Sequence, residues 1–318
     1  MTCFCRVKKK QMHKFYIASE VPSKQRNRNL SFRPKAYLKP TSIHQAVSLL
    51  SKHGEKAIPL AGGTDILVDK PSNIEYLVDI TGLPLDYIRK GKEGVRIGAL
   101  STFNSVETSD LLGKGPYSIL VDAARKMGST AIRNVATVGG NICNAVPSAE
   151  FPPALIALDA MVKIVGSNGD RIIPLEEFFK GIRKTDLKTG EILTEIQIPI
   201  LPPCTGTALF NISRSSVDIS TVVVAVRVTI GKNGTCQKAK IAIGGGIGPT
   251  CFVSKACKLL QDERIRDHLI EKVALEVSAE LNPRSTSIRG SPFFKKEAVK
   301  VLVKRALRQA LTKTGEEC

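Results

Sequence analysis

The stretch PLAGGTDILV, residues 59–68, sets two adjacent glycines between an apolar lead and an aliphatic exit, with Thr64 and Asp65 where the chain leaves the pair. Two readings fit so bare a segment. It is a tight turn in which glycine supplies a positive φ, or a loop cleared of side chains so that backbone N–H groups can meet an anion. A second stretch bears on the choice: TAIRNVATVGGNICNAVPSAEFPPALIALDA, residues 130–160, in which ATVGGN again runs from apolar residues into two glycines and a small polar side chain. Each can present unhindered N–H donors to an anion, and two such loops, about 75 residues apart, can bracket a pyrophosphate.

Working outward, TSIHQAVSLLSKHG has Thr41 or Ser42 as an N-cap, Ile43, Ala46, Val47 and Leu50 on one face, and Gly54 as a stop, so a helix precedes the strand AIPLA and the first loop. IEYLVDI (74–80) and GVRIGAL (94–100) read as strands, with Gly91 and Gly94 in the hairpin between them. Helices are expected at 102–112 and 116–127, and EFPPALIALDA starts a short one with Pro152 and Pro153 in its first turn. MVKIV and RIIPL flank GSNGD as a hairpin, and EILTEIQIPI alternates like a half-buried strand. LPPCTG (201–206) breaks the pattern and sets the domain boundary. Beyond it, VDISTVVVAVRVTI and TCQKAKIAIGGG are long strands around KNG, followed by helices at about 253–261, 266–281 and 292–312. Strands then helices predict an α+β unit with its helices on one face of an antiparallel sheet.

The 318 residues suit two domains with ample core material, at 42% hydrophobic. The net charge of +18 is unevenly placed: ten Lys/Arg against Glu20 in residues 1–35, nine against Glu297 in residues 284–313, and a nearly neutral remainder. Residues 1–34 therefore read as a basic flexible extension, a solvated tail or a contact for an acidic partner subunit ahead of a nucleic-acid or targeting segment. With 5% aromatics and no Trp there is no stacking platform for single strands. No run approaches the length of a membrane span, and no secretory signal follows the basic start, so a cytoplasmic protein is expected. The eight cysteines show no C-x-x-C pair and read as reduced, mostly buried thiols, Cys143 among them.

The usual nucleotide signatures fail. GGGIG (244–248) is followed by Pro249 and completes no Rossmann fingerprint, and there is no P-loop and no G-x-S-x-G elbow. His13, His44, His53 and His268 lie far apart and suggest neither triad nor metal site. A chain with two anion loops and no catalytic side chains suits a protein whose cofactor does the chemistry.

PLAGGTDIL together with IRNVATVGGNICNAVPSAEFPPALIALDA, and then EYLVDI, IGALSTF, GEILTEIQIPI and RGSPFFKKEAVKVLVKRAL, resembles the FAD-binding medium subunit of the molybdenum hydroxylases, the xanthine dehydrogenase and aerobic carbon monoxide dehydrogenase family. The likeness covers about residues 35–312. It implies an α+β chain: an FAD-binding domain of the p-cresol methylhydroxylase (PCMH) type over 35–203, made of two α/β subdomains, then the family's C-terminal domain over 204–313, an antiparallel sheet with helices. It implies FAD as cofactor and no metal held by this chain. A molybdopterin-binding large subunit and a [2Fe-2S] small subunit would be partners, with NAD, a quinone or another small molecule as acceptor. Leu60, Ala61, Gly62, Gly63, Thr64, Asp65 and Ile66 match the first FAD loop, where Gly62 and Gly63 are read as clearance for the pyrophosphate. Thr137, Gly139, Gly140 and Asn141 match the second. Glu150 stands where the family usually has an Asp, which keeps the carboxylate and lengthens its reach. Leu193 matches a contact near the flavin ring, and Asp218 and Ile219 match a D-I pair in a loop governing access to the ring. Asp65 as a simple helix cap and Leu193 as ordinary core remain open beside these roles.

The chain departs from the family in a shorter segment after Asp65, a slightly short SRSSVDI, and its basic extension. It also lacks the cysteine-rich insert of the 4-hydroxybenzoyl-CoA reductase branch. Two other readings stand beside the leading one: a self-sufficient FAD-dependent reductase of the same superfamily, and a non-catalytic basic binding module.

Overall fold

The computed structural model describes residues 32–215, 217–248, 251–283, 285 and 289–316; the basic extension, apart from its last residues, lies outside them. Strands β1 (Ala36–Leu38), β2 (Ala57–Leu60) and β3 (Tyr76–Asp79) pair in the order β1-β3-β2, all parallel. Helix α1 (Ile43–His53) joins the first two, capped by Ser42, whose hydroxyl accepts from the Gln45 N–H. Its buried stripe, Ala46, Val47 and Leu50, packs with Val78, Ile80, Leu83 and Leu85, as the helical spacing requires. Helix α2 (Ile66–Asp69) is one turn directly after the first glycine loop.

A second sheet follows, built from β4 (Ile88–Gly91), β5 (Gly94–Gly98), β6 (Met161–Gly166), β7 (Gly169–Pro174) and, after the small hairpin β8 (Phe179–Gly181) and β9 (Lys184–Thr185), β10 (Ile192–Pro199). Its order is β4-β5-β10-β6-β7, with every neighbour antiparallel. Between β5 and β6 run the short helices α3 (Phe103–Glu107), α4 (Ser118–Arg125), α5 (Thr130–Arg133), α6 (Val138–Asn144) and α7 (Phe151–Ala157), with α8 (Leu175–Phe178) after β7. Phe103 and Phe151 meet edge to face at 5.1 Å in the main core. One expectation is corrected here. The hairpin at Gly91 and Gly94 does not join IEYLVDI to GVRIGAL, which lie in different sheets; it joins β4 to β5. IRKG, with two cations in four residues, is an edge strand with half-buried ends and shows no apolar alternation to read.

The C-terminal part is a four-stranded antiparallel sheet, β11 (Thr205–Ile212), β12 (Val222–Ile230), β13 (Cys236–Gly245) and β14 (Cys251–Phe252), in sequence order. Helices α9 (Ser254–Lys258), α10 (Asp267–Glu280) and α11 (Pro292–Glu316) lie on one face, against Val222, Val224, Val226 and Val228 of β12. The other face, with Leu209, Val223, Ala225 and Ala242, closes over the core of the second sheet and α7. Burial on both sides is why VVVAV is a continuous apolar run rather than an alternating one. Strand β11 was not among the expected strands; its TGTALFNI presents buried threonines, Thr205 bonding Thr229 and Thr207 donating to the Pro116 carbonyl.

Much of the basic charge of α11 is matched locally. Lys300, Lys304, Arg308 and Lys313 pair with Glu297, Glu271, Asp267 and Asp122. Cys143, Cys236 and Cys257 are free thiols, while Cys204 is disulfide-bonded, against the expectation of reduced cysteines. Among the described residues no helix is long and apolar enough to cross a membrane.

Candidate functional site

The first glycine loop, α6, β10 and the turn at 217–219 surround a cleft of about 1040 Å³, a volume suited to a large organic ligand. Ala61 to Ile66, Thr137, Gly139, Gly140, Asn141, Glu150, Leu193, Asp218 and Ile219 all line it. Leu60 does not; it ends β2 with its side chain beneath Gly63.

The two loops meet by backbone. A Cβ on Gly62 would fall 1.8 Å from the Val135 carbonyl oxygen, so this glycine makes room for the second loop rather than for a ligand. Gly63 has φ +69°, the left-handed region that favours glycine. The loops then differ in what they offer. In the second, the Val138 N–H donates to the Ser101 carbonyl, Gly139 to that of Ala99, Gly140 to the Thr137 hydroxyl and Asn141 to the Thr137 carbonyl. Its donors are consumed in docking and capping α6. In the first, the N–H groups of Gly62, Gly63, Thr64 and Asp65 find no partner among the described residues. The expected symmetry of two donor loops is therefore corrected to one donor loop seated on a rigid second. What the second adds is the Asn141 side chain, whose buried Oδ1 also has no partner.

Three carboxylates differ sharply around this cleft. Burial pushes Asp65 up, aided by Asp69 and opposed by Arg183. It stands at the N-cap of α2, yet its side chain makes no capping bond there. Burial also pushes Glu150 up, against a hydrogen bond with Ser220, which itself accepts from Asn211 at 2.8 Å. Asp218 goes the other way: hydrogen bonds from Arg214 (2.6 Å) and Arg289 (3.0 Å) hold it well below the usual carboxylate range. Its neighbours Val217 and Ile219 are exposed. Leu193 is 3% exposed and belongs to the main core while also walling the cleft. Cys143 is a packed thiol pushed up to about 12 by burial.

A raised Glu150 gives a testable sign. Its neutral form is favoured by folding, so the folded state loses stability as pH rises through its folded pKa. Glu150→Gln, measured on FAD-free protein, should raise the melting temperature near pH 7 by about 2 °C, somewhat under 1 kcal/mol. The gain should vanish below the unfolded value of about 4.3. A gain that persists at low pH would refute this cause.

Sequence reasoning missed Lys126, Met127 and Arg183, which also line the cleft. Lys126 and Met127 precede the second motif by only a few residues, so its proximity was the available signal. Arg183 lies in a charged hairpin with no motif at all.

Residues 30–201 match the model of the FAD binding domain in molybdopterin dehydrogenase, and residues 208–310 that of the CO dehydrogenase flavoprotein C-terminal domain. The chain is 30% identical to the glyceraldehyde dehydrogenase medium chain of Sulfolobus acidocaldarius, over 86% of this chain and 97% of that one. It is 30% identical to the carbon monoxide dehydrogenase medium chain of Afipia carboxidovorans, over 86% and 96%. Its structure is similar to that of a chain of the carbon monoxide dehydrogenase from Hydrogenophaga pseudoflava, with a TM-score of 0.85 at 28% identity, covering 89% of this chain and 99% of that one.

Proposed function

The chain belongs to the family of FAD-binding domains in molybdopterin dehydrogenases, and from that premise we propose that it relays electrons between iron–sulfur clusters of a partner subunit and an external small-molecule acceptor. It is an oxidoreductase flavoprotein subunit with FAD as its cofactor. The observation that carries the reading is the run of unused N–H groups from Gly62 to Asp65 along the cleft. Consecutive backbone donors of this kind form an anion-binding concavity, as a pyrophosphate requires. The unpartnered Asn141 Oδ1 suits a ligand hydroxyl or N–H.

Bound there, the flavin supplies the redox chemistry, and the protein's part is to hold it, tune it and control solvent access. Ala61 to Ile66 and Asn141 would hold the cofactor, with Leu193 and Glu150 as wall. Asp218, pinned by two arginines, would fix the turn that carries Val217 and Ile219 over the cleft mouth. We read residues 35–203 as the FAD-binding domain and 204–313 as the C-terminal domain. The large subunit with molybdopterin and the small subunit with [2Fe-2S] clusters complete a cytoplasmic complex.

The test is purification of the full chain from its own cells. Flavin absorbance at about one equivalent, with molybdenum and iron co-purifying, is the expected result. Protein that carries no flavin and takes up none on addition of FAD would end this reading. Stoichiometric flavin without any molybdenum partner would instead favour a self-sufficient reductase.

A further inference from the structure

The two loops are braced twice, and glycine explains only one brace. At the root, Gly62 lies against the Val135 backbone. At the rim stands Arg183, in the turn between β8 and β9 with φ +54°. Its backbone N–H donates to the Ala145 carbonyl at 3.0 Å, just past the end of α6. Its guanidinium donates through both Nη atoms to the Asp69 carboxylate of α2 and, at 3.4 Å, to Asn144 Oδ1 of α6. One side chain thus joins the helix after the first loop to the helix bearing the second glycine pair.

Stability alone gives no account of this arrangement. The Arg183 side chain is 53% exposed and Asp69 is 40% exposed, and such a pair contributes about 0–1 kcal/mol. Left-handed backbone at a non-glycine residue costs about 1–2 kcal/mol. A ligand that must meet both loops at once gives the brace a use, because a site ordered in advance loses less on binding. We propose that Arg183 is a positioning residue of the cofactor site, setting the spacing of the two loops through Asp69 and Asn144 and thereby the affinity for FAD. The proposal rests on the FAD reading above.

The experiment titrates FAD into FAD-free full-length protein, as wild type, Arg183→Ala, Arg183→Lys, Asp69→Asn and the double variant Arg183→Ala/Asp69→Asn, with melting curves of each FAD-free form. Arg183→Ala should weaken FAD about tenfold, about 1.4 kcal/mol, while the FAD-free melting temperature stays within about 2 °C, under 1 kcal/mol, of wild type. Arg183→Lys, which keeps the charge and loses the fork, should recover part of the affinity. Asp69→Asn should also weaken binding, and the double variant should be no worse than Arg183→Ala. Wild-type affinity in Arg183→Ala overturns the proposal and leaves the FAD reading intact. So does a parallel fall in FAD-free stability, which would mark a structural role, or tighter binding in Asp69→Asn, which would mark direct action of the arginine on the cofactor. A wild type that binds no FAD ends both.

Discussion

Gly62→Ala is expected to yield protein without bound flavin, with FAD affinity at least ~100-fold below wild type, about 2.8 kcal/mol. The added Cβ would sit 1.8 Å from the Val135 oxygen and 2.7 Å from its carbonyl carbon. Both are backbone atoms, so no change of rotamer relieves the clash, and the first loop has to leave the second. Overpacking of this kind costs about 1–3 kcal/mol, and the FAD-free melting temperature should fall by several degrees with it. Gly63→Ala makes the contrast. Its Cβ would meet the movable end of Leu67 at 3.3 Å, and the cost is the left-handed backbone, about 1–2 kcal/mol. FAD titration and thermal melts of the two variants should therefore rank Gly62→Ala as the more damaging on both measures. The reverse order would mean that the close approach to Val135 is not what the first glycine provides.

The second large effect concerns Asp159, near the end of the second quoted stretch and well past its glycine pair. It follows α7 in a left-handed conformation, φ +57°, and receives Arg227 (2.6 Å), Lys238 (2.8 Å) and Lys240 (2.8 Å) from β12 and β13. Arg227 is 2% exposed. Burial alone would push the Asp159 carboxyl up, but the three cations hold it well below the usual range. Asp159→Asn keeps a side chain that tolerates this backbone and leaves those cations, among the described residues, with Glu176 as their one other ion-pair partner, bound to Lys240. Breaking a buried pair from one side costs about 3–5 kcal/mol, and the partial exposure of Asp159 places the expected loss near 3. Because the folded pKa is depressed, this stability is complete above the unfolded value of about 3.9 and is lost as pH falls below it. Denaturant titrations of wild type and variant should thus differ most above pH 4 and converge in acid. A gap that is constant with pH would point to lost packing instead of lost charge.

How much of this was legible depended on whether a signal was local. Helix α1 announces itself through Ser42, its stripe and Gly54, and α7 through its paired prolines. β12 and β13 are legible because their apolar runs are long and a tight turn separates them. Edge strand β4, with Arg89 and Lys90 at its centre, and the threonine-rich β11 carry no such pattern. Strand pairing is settled by contacts far apart in sequence, and so the wrong partner was assigned to the Gly91–Gly94 hairpin. The site follows the same division. The glycine pairs and their neighbours stand in the sequence, and the fold brings all but Leu60 to one cleft. Which pair has N–H groups to spare depends on the Ala99 and Ser101 carbonyls, and no local pattern shows that. Arg183 and Asp159 act through partners more than a hundred and about seventy residues away, at Asp69 and Arg227.

The C-terminal sheet has no free side, and this limits how the molecule can be cut. A fragment ending at the proline-rich boundary near residue 203 would uncover the core of the second sheet where Leu209, Val223, Ala225 and Ala242 now lie. It would also strand Asp159 without its cations. The boundary that is easiest to see in the chain therefore divides two modules that share one core, and grafting either half onto a foreign partner would first require recutting the seam between them.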